Sequence, residues 1–198
     1  IVTAKNKKRI QGITTIEPEM IRKIPGANAG VENILKTLPG VNSNNELSTQ
    51  YAVRGGNYDE NLVYVNEVEV YRPFLVRSGQ QEGLSFPNPD MVSQVNFSAG
   101  GFQAKFGDKM SSVLDITYAR PDSMSGNIQM GLLGGQLQLM DISKNKKWTY
   151  NTGFRYRDYS YILNSLDVTG DYKPRFMDWQ SYITCRPLGA YGPLEFSF

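Results

Sequence analysis

The stretch Trp148-Thr149-Tyr150-Asn151-Thr152-Gly153-Phe154-Arg155-Tyr156-Arg157 alternates without a break. Trp148, Tyr150, Thr152, Phe154 and Tyr156 share one parity, and Thr149, Asn151, Gly153, Arg155 and Arg157 the other. In an extended strand successive side chains point to opposite faces, so this run places aromatic groups toward one medium and polar groups toward another. Met177 to Arg186 repeats the pattern, with Met177, Trp179, Ser181, Ile183 and Cys185 alternating with Asp178, Gln180, Tyr182, Thr184 and Arg186.

Soluble sandwiches alternate in the same way, so connection lengths carry the next step. Ser143–Lys147 and Gly189–Pro193 are short polar turns, whereas Asn164–Lys173 is long and rich in Asp, Gly and Asn. Short turns alternating with long loops characterise outer-membrane barrels. Between Ile128, Met130 and Leu132 at even positions and Leu137 and Leu139 at odd ones the phase slips. A turn at Gly134-Gly135 accounts for it, since glycine adopts turn conformations at little cost. This reading predicts strands near 126–133, 136–142, 147–162, 175–188 and 194–198, with Trp148, Phe154, Trp179 and Ile183 facing lipid.

The first 120 residues have another texture. Lys5, Lys7, Lys8 and Arg9 form a basic run in an extended stretch, read as a solvated linker over 1–20. Pro18 opens a short helical turn, and Val31, Ile34, Leu35 and Leu38 predict a helix over 31–38 stopped by Pro39-Gly40. Strands are predicted near 51–54, 61–71, 94–98 and 112–118, with Asn66-Glu67 as a tight hairpin turn. Arg72 to Pro87 is a long irregular stretch of the kind that carries function.

Composition excludes several chemistries. Hydrophobic residues make up 40% and charged residues 20% of the 198 residues, which suits a folded chain. The net charge of +2 comes with no basic stripe, which argues against nucleic acid as a partner. There is no histidine, so His-based triads and His metal sites are absent, and the single cysteine, Cys185, forms no intrachain disulfide. Asp90, Asp108 and Asp115 could be grouped as acid and base, but nothing in their spacing demands it. No pattern assigns a catalytic residue, metal or cofactor. The chain is read as a non-enzyme.

An ordered set of phrases over about residues 10–120 resembles the plug domain of TonB-dependent outer-membrane receptors, in the style of the large Bacteroidetes-type members. Ile34 to Val41 resembles the "LxxLPGV" phrase, Tyr51-Ala52-Val53-Arg54-Gly55-Gly56 the "hxhRG" strand, and Asn61 to Tyr71 the hairpin that follows it. Asn88-Pro89-Asp90, Ala99-Gly100-Gly101-Phe102 and Ser111 to Ile116 match later phrases in order. The resemblance implies an α+β plug domain, a small mixed sheet with short helices, followed by antiparallel β-strands of an incomplete transmembrane β-barrel. The expected division is a linker over 1–20, the plug over 21–121, and about five barrel strands over 122–198. About five strands fall short of the roughly eight that the smallest outer-membrane barrels need to close. No coupling segment for TonB is visible before the plug.

The same resemblance implies a transporter that binds and imports a nutrient ligand, located in the bacterial outer membrane. Its partners would be the periplasmic TonB protein, membrane lipid, the extracellular ligand and, in some members, a surface lipoprotein. The alternative is a receptor or signalling subunit in which the plug clamps a partner. Three apical loops would meet the ligand, placing Asn45, Tyr58, Asp59, Tyr71, Arg72 and Phe74 in the site. Arg54 would be partly buried and lock the plug to barrel carboxylates, or else pair within the domain with Asp115.

Overall fold

The computed structural model describes residues 12–23, 30–43, 49–71, 73, 77–78, 81–82, 85–160, 175–187 and 196–197. The elements run β1 (Ile13–Ile16), α1 (Pro18–Lys23), α2 (Val31–Leu35), β2 (Val41–Asn42), β3 (Ala52–Val53), β4 (Asn61–Val65), β5 (Val68–Glu69), β6 (Arg77–Ser78), β7 (Gln81–Glu82), β8 (Val92–Ser98) and β9 (Ser112–Tyr118). Then come β10 (Ser125–Gly131), β11 (Gly134–Ile142), β12 (Trp148–Asp158), β13 (Arg175–Cys185) and β14 (Phe196–Ser197). Single 3-10 turns occupy Tyr58–Glu60 and Pro89–Met91.

The first half is built on a mixed sheet of order β1-β8-β9-β4-β5, in which β4 and β9 run parallel and the other neighbours antiparallel. Its central strand β9 reads Ser-Val-Leu-Asp-Ile-Thr-Tyr and is buried along most of its length. One parity, Ser112, Leu114, Ile116 and Tyr118, is buried throughout, while on the other Val113 is buried, Asp115 half-buried and Thr117 exposed. Val31, Ile34 and Leu35 of α2 present one helical face to the same core, which Val63, Val65, Val95, Phe97, Leu114 and Ile116 fill from the sheet. The second half is an antiparallel meander in chain order, β10-β11-β12-β13-β14.

Three details differ from the sequence reading. Ile13–Ile16, expected to lie in a linker, pairs with Val95–Ser98 as an edge strand of the first sheet. Residues 36–40 form turns rather than a last helical turn. Proline disfavours helix at the residue before it, here Leu38, and the Thr37 hydroxyl donates to the Ile34 carbonyl instead. The hairpin between β10 and β11 turns at Leu132-Leu133, two residues earlier than expected. In that register Ile128 faces Leu137 across the pair, so the parity change follows from the two-residue loop alone. Gly134 instead allows close approach: a side chain there would strike the Tyr156 backbone.

The Asn66-Glu67 turn is as expected, with both residues at positive φ, 50° and 67°. Two-residue hairpins favour this pairing because its twist matches the strands. Asn66 also accepts from the Tyr118 backbone N–H through its side chain, at 2.8 Å, tying the hairpin to β9. Two substitutions in one turn should therefore act in opposite directions. Glu67→Gly should raise stability by up to about 1 kcal/mol, since relief of the left-handed backbone exceeds the extra chain entropy that glycine loses on folding. Asn66→Gly should lower it by about 1–3 kcal/mol by orphaning the Tyr118 N–H. Urea unfolding of both variants measures the difference, and a shared sign would refute the assignment.

Candidate functional site

The meander is two-faced. Ile128, Met130, Leu137, Leu139, Trp148, Tyr150, Phe154, Tyr156, Met177 and Trp179 all point away from the first domain and are exposed, Met130 to 88% and Trp179 to 77%. Ile183 shares their face and is half-buried. The opposite face carries Gln136, Gln138, Asn151, Arg155 and Thr184, all buried although polar. Buried polar groups need partners, and this face finds them largely in the first domain.

Arg155 is the centre of that contact. Its side chain is 3% exposed, and Nη2 lies 2.8 Å from Asp178 Oδ2 on the neighbouring strand. Nε donates to Asp178 Oδ1 at 2.9 Å. The other side of the guanidinium donates to the backbone carbonyls of Ser85, Phe86 and Pro87 in the first domain, at 2.9, 3.3 and 3.1 Å. The planar fork of arginine suits it to hold a carboxylate on one edge and carbonyls on the other. Gln180 adds a bond from its amide to the Phe86 carbonyl and one to Asp178. The Tyr118 hydroxyl, pushed up to about 12 by burial, stays protonated and donates to Gln180 at 2.9 Å.

Further along the strands, Asn151 donates to the Met91 and Ala119 carbonyls at 3.2 and 2.9 Å. Gln136 donates to Asp90 at 2.7 Å. Gly153 lies between these contacts. A Cβ there would strike the Asn88 amide nitrogen and stand 3.0 Å from Met91 Sδ, so any larger residue has to displace those two side-chain ends.

Inside the first domain, Glu32 of α2 is fully buried. Ser85, whose carbonyl faces Arg155, donates its hydroxyl to Glu32 Oε1. The other carboxyl oxygen, Oε2, has no hydrogen-bond partner. Burial holds the Glu32 carboxyl above the usual carboxylate range, opposed by the Ser85 bond and by the charges of Arg155 and Lys36.

The residues expected to meet a ligand fall as follows. Asn45, Arg72 and Phe74 lie outside the described residues. Tyr58 and Asp59 occupy the 3-10 turn capped by the Asn57 side chain, and the Asp59 carbonyl accepts from Lys109 Nζ at 2.6 Å. Tyr71 is 84% exposed. The stems of the three loops meet at one end of the sheet. The Asn61 side chain donates to the carbonyls of Tyr51 and Tyr58, and Val70 N–H donates to Val63 as the hairpin returns toward the start of β4.

Arg54 departs from expectation. It is exposed rather than partly buried. The two-residue strand β3 ends at Val53, and Arg54 turns out of it at φ 49°, its N–H donating to the Gly40 carbonyl at 2.8 Å. No described carboxylate pairs with it. Asp115, the alternative partner, sits on β9 opposite Asn96 of β8, and the cationic charge that acts on it is that of Lys105. Asp90 and Asp115 form no pair either: Asp90 is buried against the meander glutamines, while Asp115 sits mid-strand on β9.

Sequence reading missed Arg155, Asp178, Gly153 and Glu32. Arg155 was visible as a charge on the polar parity of a strand, and Gly153 as a glycine on the same parity. Their partners lie some 70 residues upstream, beyond what periodicity relates.

Removing one member of a buried pair strands the other's charge, at a cost of about 3–5 kcal/mol. Arg155→Met should lose about that much stability in denaturant unfolding. Arg155→Met with Asp178→Leu should recover a substantial part, and a double variant no better than the single would show that the pair is not the source. Glu32 sets a pH dependence. Its native pKa is raised, so its stabilising contribution is complete below the ordinary carboxylate range and is lost as pH rises through the native value. Glu32→Gln should flatten that fall in unfolding measured from about pH 4 to about pH 8.

Comparison with known proteins accords with this geometry. The model of the TonB-dependent Receptor Plug Domain family matches residues 5–113. No curated protein matches the chain. Among solved structures, a mutant ferric enterobactin receptor from Pseudomonas aeruginosa bound to enterobactin is similar at 20% identity and a TM-score of 0.55, over 91% of this chain and 31% of that one. A double mutant of the Serratia marcescens hemophore receptor, in complex with its hemophore and heme, is similar at 15% identity and a TM-score of 0.60, over 90% and 30%. The outer membrane transporter YddB from Escherichia coli is similar at 14% identity and a TM-score of 0.59, over 89% and 31%. The chain thus spans about a third of the length of these structures. With more than half its length matched by the family model and a strand wall packed on the matched domain, the chain belongs to the TonB-dependent receptor plug domain family.

Proposed function

We propose that this chain is the plug and the first wall strands of an outer-membrane transporter that binds a nutrient ligand and imports it with energy from the periplasmic TonB protein. The observation that carries this reading is the two-faced meander: an apolar, aromatic-rich face turned outward and a buried polar face turned to the plug. Lipid satisfies only the first, and a domain filling a barrel lumen satisfies only the second. β10 and β14 are open edges of the described sheet, which further strands would pair.

In this reading Tyr58, Asp59 and Tyr71, with Asn45, Arg72 and Phe74, supply aromatic faces and polar groups to the ligand from the ends of converging loops. Arg54, exposed and without a described carboxylate partner, is the group we assign to a barrel carboxylate as a second plug–wall lock. A surface lipoprotein covering the extracellular mouth fits the same arrangement. The work is gating and binding, for which no covalent step is required.

The alternative is a receptor whose plug clamps a partner without moving. Ser112 separates the two, because it is small, fully buried and central in the sheet. In cells carrying the full-length receptor as Ser112→Cys, with Cys185→Ser, maleimide labelling of residue 112 should be faster when TonB is present and the inner membrane is energised. Equal rates with and without TonB would favour the static clamp.

A further inference from the structure

The polar contacts between plug and wall lead inward to one residue that the mechanism above does not use. Ser85 is held from two sides. Its carbonyl accepts from Arg155 Nη2 at 2.9 Å, while its hydroxyl donates to Glu32 on α2. Ser85 and Glu32 are both almost fully buried, at 3% exposure each. A Cβ at Gly30, just before α2, would meet Glu32 Oε2 at 2.9 Å and Ser85 Cβ at 3.5 Å, so the backbone entering the helix is close-packed on the same pair. Arg155 is in turn fixed by Asp178. A continuous chain therefore runs from α2 through Glu32, Ser85 and Arg155 to Asp178 on the wall. α1, which follows the edge strand β1, packs on α2, on β8 and on the Pro89–Met91 turn.

We propose that Ser85 is a positioning residue that makes the seating of the plug on its wall and the ordering of α2 a single event. The chemistry supports coupling rather than two separate anchors. One short residue carries both bonds, so shifting it far enough to break the carbonyl bond carries its hydroxyl away from Glu32. The carboxyl left behind has one oxygen already unpartnered, and in a dry interior losing the second bond is costly. The reverse also holds: displacing α2 withdraws Glu32 and frees Ser85 to leave Arg155. Tension applied to the N-terminal elements would reach the wall by this route. That last consequence rests on the transport reading; the coupling itself does not.

Hydrogen exchange of the full-length receptor in detergent tests the coupling. The amides of Lys36, Thr37 and Leu38 report on α2, since they donate to the Glu32, Ile34 and Leu35 carbonyls. Arg155→Gln touches none of them, yet it should accelerate their exchange several-fold, as should Ser85→Ala. The double variant should be no faster than the faster single one, because both break the same chain. Glu32→Gln, which keeps an acceptor for the Ser85 hydroxyl, should stay near wild type. Acceleration by Arg155→Gln confined to residues 85–91, or rates that multiply in the double variant, would overturn the proposal. So would Glu32→Gln behaving like Ser85→Ala. Should Arg155→Gln loosen the whole plug, the Ser85→Ala and Glu32→Gln pair decides alone. These readouts are independent of TonB, so a failed labelling experiment at Ser112 would refute the transport reading and leave this result standing.

Discussion

A guanidinium buried between two domains governs much of this structure. Arg155 cannot lie in an apolar interior without its carboxylate, and Asp178 supplies one from the adjacent strand. The pair leaves the outer donors of the guanidinium unsatisfied, and the carbonyls of Ser85, Phe86 and Pro87 take them. Those carbonyls lie in the stretch leading to the Pro89–Met91 turn, outside the strand ladders of the first sheet. Each side thus completes what the other lacks. The neighbouring contacts of Gln136, Asn151 and Gln180 follow the same rule, with wall amides meeting plug carbonyls or carboxylates.

Such an interface differs from a hydrophobic core in what it permits. Apolar burial is non-directional and fades gradually, whereas these contacts depend on geometry and are lost when it shifts. Water entering the seam can replace them at modest cost, because a net hydrogen bond contributes only about 0.5–1.5 kcal/mol. A plug held by polar contacts is well placed to separate from its wall without unfolding its own core. The core proper, around Leu114, Ile116, Val95 and Leu35, lies within the plug and, among the described residues, draws only Tyr182 from the wall. This division is what a gate requires: a body that stays folded and a seam that can open.

Much of the fold was legible in the sequence because its periodicities are local. The parity of Trp148 to Arg157 identified both faces of the wall, and positive φ at Asn66 and Glu67 is what that turn sequence suggests. The displaced turn at Leu132-Leu133 shows the limit. Glycine at 134 reads as a turn signal, but its role is to clear the Tyr156 backbone on the neighbouring strand β12. Arg54 shows a second limit. An apolar run before it suggested burial, yet a two-residue strand ends abruptly and turns the side chain outward. The seam was illegible for the same reason: Arg155 meets carbonyls, which every residue carries, so its partners have no signature in side-chain pattern.

The plug sits against the polar face of this wall with Asn88 over Gly153. A Cβ at Gly153 would lie 3.3 Å from Asn88 Cγ, and the Asn88 Cβ is one bond further, within disulfide reach. The direct measurement is oxidation of the full-length receptor carrying Asn88→Cys, Gly153→Cys and Cys185→Ser, followed by proteolysis in the exposed 122–124 connection. Plug and wall fragments should remain linked until reduced, and pairing residue 88 with an outward position such as Thr152→Cys should give no link. Separation of the fragments without reductant, or equal linking at both positions, would contradict that placement.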